Sequence, residues 1–417
     1  MTTDTPRPPA RWAATFLAIW SGQACSLLGS RVAQFALIWW LTQLTGSATI
    51  LATASLVALV PEIVLMPIAG VYIDRWNRRI VMIVADGVIA LASLWLAYLF
   101  WSGAIQYWHV YVIMFVRAVG GSFHWPAMQA STSLMVPHEH LTRVAGLNQT
   151  LFGLLGIFGP PLGALCMGVL PLFGIMLIDV FTAALAIVPL LFVQVPQPPR
   201  RAGAGQASFW TDMRAGLVYL LDWRGMLFII GMAVIFKIAT TPAFTLFPLL
   251  VSAHFKGDAA QLSLLEALLG IGMVAGGLIM SAWGGTKRRI YTSLVALALS
   301  GLCFVVIGFT PATAFWLALA GVFVIGFLMP FVDGTLMAVL QVSIEPEMQG
   351  RVFTLLGSLF SISSPIGLAL AGPVSDAFGL MIWYVAGGVL TTVTSLAMLF
   401  VPDVINVERR EASPTRS

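Results

Sequence analysis

Eight ionisable side chains stand inside stretches that are otherwise apolar: Arg31, Glu62, Arg117, His124, Asp179, Lys237, Glu266 and Asp333. A charge inside a membrane helix costs roughly 2.5–3.5 kcal/mol on insertion scales, so such residues mark ion, proton or substrate paths. Arg31, Arg117 and Asp179 each fall about 8–10 residues from one end of their runs, a shared depth of roughly 12–15 Å at ~1.5 Å per residue. Two cations and one acid at one level cannot all be neutralised pairwise. Glu62 lies about one turn deeper, within reach of Arg31. It reads either as an acid that exchanges a proton as its partner moves or as half of a fixed ion pair. His124 stands beside Pro126 and is a candidate proton relay, since imidazole titrates near pH ~6.5; a hydrogen-bonded structural histidine is the alternative. Lys237 and Asp333 form a plausible pair in the second half, with Glu266 nearer the opposite face. Asp86, close to the start of its run, reads as structural. This is the chemistry of charge pairing and proton exchange. No nucleophile is paired with a base, and no metal-binding cluster or phosphate loop occurs, so an enzyme, a cofactor and ATP as energy source are not expected.

The elements that position these residues are apolar runs long enough to cross a hydrocarbon layer of ~30 Å. Of 417 residues 59% are hydrophobic and 9% charged, against about 25% charged in soluble domains. Breaks in hydropathy predict twelve helices near 12–41, 47–74, 80–101, 108–135, 143–167, 171–194, 225–253, 259–283, 288–309, 312–341, 350–376 and 380–401. Arg31, Arg117 and Lys237 lie within runs and Lys256 in a loop of the opposite face. The other Lys and Arg residues occupy the tails and alternate loops, which predicts that both termini are cytoplasmic. Cys25, Cys166 and Cys303 lie in apolar runs without paired spacing, so neither disulfides nor metal sites are expected.

The two halves repeat each other. A shift of 208 residues superimposes Phe115 on Phe323, Phe123 on Phe331, and Arg143-Val144 on Arg351-Val352. A shift of 210 brings Asn77-Arg78-Arg79-Ile80 onto Lys287-Arg288-Arg289-Ile290. The expected organisation is an all-α polytopic membrane protein of two pseudo-symmetric six-helix bundles, 1–194 and 225–402. Between them lies a Pro/Gly-rich basic linker, 195–224, with an amphipathic interfacial helix; a cytoplasmic tail, 403–417, follows. Arg117 falls on Ile325 in this repeat, which favours a functional over a packing role, because a cation needed for symmetric packing would occur twice.

Between the second and third runs, Gly70-Val71-Tyr72-Ile73-Asp74-Arg75-Trp76-Asn77-Arg78-Arg79 resembles the loop signature of the major facilitator superfamily, with Asn77 at a usual glycine. Asn tolerates the left-handed backbone that a glycine there suggests. The resemblance implies that Asp74 and the bases Arg75, Arg78 and Arg79 form a conformational latch between the halves on the cytoplasmic side. The second-half loop has Ser281 or Ala282 where the acid would stand.

Helix five carries Gly156, Gly159, Pro160 and Gly163, similar to the Gly-Pro-x-x-Gly pattern of the exporter branch, although glycines at this spacing also serve plain helix packing. The stretches 34–42, 123–131 and 140–149 resemble the macrolide-efflux branch of drug:proton antiporters. This implies a monomeric, proton-coupled exporter of amphipathic small molecules in a bacterial-type inner membrane, working by alternating access. Its energy source would be the proton gradient, with no nucleic-acid partner. Trp39, Trp40, Trp125, Phe244 and Phe247 are candidates to line the substrate cavity, or are packing and lipid-facing aromatics. A siderophore exporter or lysophospholipid transporter of the same fold, and a non-transporting sensor, are the other readings.

Overall fold

The computed structural model describes residues 12–73, 75–193, 195, 197, 214, 217–221 and 223–409. Among them are twelve long helices: α1 (Trp12–Thr45), α2 (Ala48–Ile73), α3 (Arg78–Ser102), α4 (Tyr107–Met135), α5 (Leu141–Val169), α6 (Leu172–Phe192), α7 (Arg224–Thr245), α8 (Ala259–Trp283), α9 (Arg289–Phe309), α10 (Phe315–Ser343), α11 (Pro346–Phe378) and α12 (Ile382–Met398). No strand occurs among the described residues. The protein is an all-α polytopic membrane protein of twelve spans. Asp74 and most of the 195–224 linker, including the start of its expected amphipathic helix, lie outside the described residues.

Local chemistry sets several helix ends. Asn77 caps α3, its side-chain oxygen accepting from the N–H groups of Arg79 (3.1 Å) and Ile80 (3.4 Å). Its φ of −72° and ψ of 109° are extended, not left-handed as the glycine analogy suggested. The reason is that an N-cap residue needs extended backbone to aim its side chain at the first free N–H groups. Gly103 and Gly284 end α3 and α8 in the left-handed region, at φ 73° and 75°. The seventh span differs from the continuous 225–253 expected. Past Pro242, α7 ends at Thr245, and the chain continues as a short turn, Phe247–Leu249, and a π-helical turn, Leu250–His254. Pro248 lacks the N–H needed to carry the helix through.

The chain divides into two compact units, Met1–Gly46 with Thr53–Ala202, and Ser47–Ala52 with Gly203–Ser417. In the first unit α1 packs on α5 and α6, and α3 on α4 and α6. In the second, α7 packs on α11 and α12, and α9 on α10 and α12, the same four pairings one repeat later. The second unit adds a tight α8–α10 pair. There Gly272 and Gly276 lie against the backbone of Phe323 and Phe327, and Gly326 against that of Leu269, so any side chain would strike main chain. The related helix α2 has no such tight pairing in the first unit and joins that unit's core through Ala69 and Ile73 at its end. Its start, Ser47–Ala52, groups with the second unit, where Thr49 Oγ1 donates to Asp376 Oδ2 at 2.8 Å. The first residues of the expected 403–417 tail are packed. Val404 and Val407 are buried in the second unit's core, and Glu408 Oε1 accepts from the Ile290 N–H at 2.8 Å.

Candidate functional site

The first unit holds its charges in two layers. In one, Asp179 on α6 is 1% exposed, and both carboxylate oxygens are occupied. Ser30 Oγ of α1 donates to Oδ1 at 2.8 Å, and Ser93 Oγ of α3 and Arg117 Nη1 of α4 donate to Oδ2 at 2.6 and 2.8 Å. The second guanidinium nitrogen, Nη2, donates to the Ser30 carbonyl at 3.1 Å. One acid thus ties four helices whose residues lie up to 149 positions apart. The shared depth of Arg117 and Asp179 becomes a direct ion pair. Arg31 follows Ser30 on α1, where its Cβ would meet one built on Gly159 of α5 at 3.2 Å.

Seven residues away on each of α1, α3 and α4 lies a second layer. Gln23 Nε2 donates to Asp86 Oδ2 at 2.9 Å, and His124 Nε2 stands 3.4 Å from Asp86 Oδ1 without an aligned hydrogen bond. Asp86 is 5% exposed. Two helical turns, about 10.5 Å, separate the layers. Ser30, Ser93 and Gln23 escaped the reading of the sequence, and Asp86 entered it only as structural. The signal that finds them is the common seven-residue interval in 23/30, 86/93 and 117/124. Glu62, exposed on α2, bonds to no described residue, so the expected Glu62–Arg31 pair does not form.

In the second unit Lys237 and Asp333 line one cavity of about 110 Å³, with Ser293, Ser300 and Phe360 on its wall. They do not bond each other directly: the expected pair shares a cavity and not a contact. Ile325, the repeat counterpart of Arg117, is 1% exposed and lines the same cavity as Lys237 and Asp333. Glu266 is half-buried on α8.

The loop bases act inside the first unit. Arg78 is buried, and its Nη1 donates to the Ala130 carbonyl of α4 at 2.7 Å. Arg79 donates through Nε to the carbonyl of Leu190 and through Nη2 to that of Leu191, in the last turn of α6. Unpaired carbonyls at a helix C-terminus favour a cation. Arg75 and Gly70 are exposed, and Arg75, Trp76, Phe115 and Phe123 help line an apolar groove of about 730 Å³ along α3 and α4. Of the helix-five residues, Gly159 and Gly163 lie against Arg31 and Phe35, so they set the approach of α1 to α5. Gly156 faces open space, and Pro160, within α5, is half-buried.

Residues 19–368 match the major facilitator superfamily pattern. The chain belongs to the major facilitator superfamily. It is 34% identical over 379 residues to macrolide efflux protein A of Streptococcus pyogenes, covering 91% of this chain and 94% of that one. It is 26% identical over 389 residues to the multidrug efflux pump Tap of Mycolicibacterium fortuitum, covering 90% and 92%. Its fold resembles that of a bacterial homologue of the iron transporter ferroportin, with a TM-score of 0.68 at 14% identity over 93% of this chain and 98% of the other.

In this facilitator the aromatic candidates are engaged within their units. Trp39 is 6% exposed on α1, Trp40 meets Phe100 edge-on at 5.1 Å, and Trp125 meets Phe152 at 5.0 Å. Phe244 and Phe247 pack edge to face at 5.4 Å, in a cluster with Phe304 and Tyr384.

Proposed function

We propose that this facilitator is a proton-coupled exporter of amphipathic small molecules of the macrolide type, moving substrate outward as protons move inward by alternating access. It carries out no covalent chemistry and needs no cofactor. It works as a monomer in the cytoplasmic membrane of a bacterium, with both termini on the cytoplasmic side, as the distribution of Lys and Arg supports. The observation that carries the reading is the buried Arg117–Asp179 pair, which ties α1, α3, α4 and α6 and has the apolar Ile325 at the repeat position. Likeness to macrolide efflux protein A supports the substrate class.

Arg117, Ser30 and Ser93 hold Asp179 in place, so the four helices move as a body. Arg31, Glu62, His124, Lys237, Glu266 and Asp333 are the further groups through which proton and substrate charge would be exchanged. Asp74 with Arg75, Arg78 and Arg79 would bias which face is open, and Trp39, Trp40, Trp125, Phe244 and Phe247 would supply apolar surface to substrate. The test is uptake of a labelled macrolide into inside-out vesicles with and without an imposed proton gradient. Gradient-dependent uptake in the wild type, lost in folded and inserted Arg117→Ala, is the expected result. Uptake indifferent to the gradient would overturn the antiport reading, and normal gradient-driven uptake in Arg117→Ala would remove Arg117 from the coupling.

A further inference from the structure

We infer that Asp86 and His124, not the Arg117–Asp179 pair, form the proton-accepting site of the first unit, an inference that rests on the antiport reading. The two layers differ in charge balance. Asp179 has a guanidinium and two hydroxyls on its oxygens, so its charge is met without an added proton. Asp86 is equally enclosed but has only the neutral amide of Gln23 on Oδ2 and the imidazole of His124 near Oδ1. No Lys or Arg bonds to it among the described residues. A buried charge without a counter-charge is costly, and this pair is neutral only with one proton added.

The geometry leaves a place for that proton. His124 Nε2 is buried, 3.4 Å from Asp86 Oδ1, and has no hydrogen-bond partner among the described residues. A proton arriving on Nε2 makes it a donor; a small turn of the ring closes the N–H···O bond and converts a net charge of minus one into a neutral ion pair. Release reverses the step, with no other bond made or broken. The pair joins α3 to α4, and Gln23 adds α1, so its loading changes the tie among helices that the Asp179 layer holds two turns away.

The surrounding charged and titratable groups do not supply a substitute. Arg117 and Asp179 satisfy each other one layer away. Arg78, eight residues before Asp86 on α3, donates to Ala130, and Arg79 to the end of α6. Cys25 on α1 is exposed. Helix α5 carries Arg143 and Cys166 near its two ends, and α6, which meets Gly22 through Leu185 and Ala186, carries no titratable side chain at this level. The corresponding positions of the second unit are Ala296 and Val332, so the site occurs once.

The experiment measures gradient-driven uptake of a labelled macrolide into inside-out vesicles at stepped pH for the wild type, Asp86→Asn and His124→Gln, each checked for fold by thermal melting. Glutamine can still donate to Asp86 but does not titrate. We expect the wild-type rate to change with pH, His124→Gln to flatten that profile, and Asp86→Asn to lower accumulation by about tenfold, within the usual span of a coupling effect. A wild-type pH profile in folded His124→Gln overturns the inference even where Asp86→Asn is not recovered folded, because a packing role would leave the profile in place. A wild type indifferent to the gradient defeats the antiport reading itself. Gradient dependence in the wild type with unaltered variants defeats only this assignment.

Discussion

In the first unit a fully enclosed acid takes bonds from three other helices, whereas in the second Lys237 and Asp333 line a cavity without touching. The contrast extends to packing. Helix α8 is pressed onto α10 through Gly272 and Gly276, while the repeat places Glu62 and Met66 at the same positions of α2, which joins its unit's core at its end, through Ala69 and Ile73. A duplicated fold has thus kept its four common helix pairings and divided the rest. The first unit adds polar bonds at depth, and the second adds glycine-mediated backbone contact between α8 and α10. The physical lesson is that a carboxylate and a glycine cannot both serve one helix face: the first keeps the neighbouring backbone away and the second admits it.

The largest effect should separate the two polar sites. Arg117→Ala leaves Asp179 buried without its cation and should cost about 3–5 kcal/mol, while Lys237→Ala, on an exposed residue, should cost under about 1 kcal/mol. Melting of the purified variants measures both. Equal losses would erase the distinction drawn between the units. Replacing the first pair by Arg117→Leu with Asp179→Leu should recover much of the stability but not gradient-driven uptake, since apolar isosteres often match a buried pair in stability.

Next comes the packing contrast. Gly276→Leu would drive a side chain into the Phe327 backbone and should destabilise by about 1–3 kcal/mol or more. Met66→Ala, at a 41%-exposed position of α2, should stay within about 0.5 kcal/mol. A comparable loss at Met66 would mean that α2 is held more firmly than its packing indicates.

The smallest effect compares two helix starts. Asn77→Ala removes the cap of α3 and should cost about 0.5–2 kcal/mol. Arg288→Ala, at the start of α9 where the Arg288 side chain makes no capping bond and Glu408 meets the Ile290 N–H, should change stability by no more than about 0.5 kcal/mol. Amide exchange in the first turns of α3 and α9 would show whether the cap acts locally, with faster exchange expected in the first case alone.

Much of this was legible in the chain. Long apolar runs give the spans because a ~30 Å hydrocarbon layer leaves few alternatives to helices of about 20 residues. The repeat of Asn77-Arg78-Arg79-Ile80 in Lys287-Arg288-Arg289-Ile290 revealed two related halves, and hydropathy placed Arg117 and Asp179 at one depth. It did not show that α7 stops at Thr245, since Pro242 and Pro248 are compatible with either a kink or a break. Nor did it show that Asn77 caps α3 from an extended conformation.

The amino-acid sequence by itself determined which residues are charged, how deep they lie and which occur in only one half. Depth follows from the fixed rise along a helix, and a one-sided residue from comparison within the chain. Which charges meet was decided by tertiary structure alone. Asp86 and Gln23 are 63 positions apart, Arg117 and Asp179 62, and Ser30 and Asp179 149, so each pairing depends on how separate helices are turned about their axes. Hydropathy measures burial in lipid or protein equally and carries little information about that rotation. Packing supplied it, through glycines such as Gly159 and Gly163 that let α1 approach α5, and in doing so left Asp179 with a cation and Asp86 with a histidine.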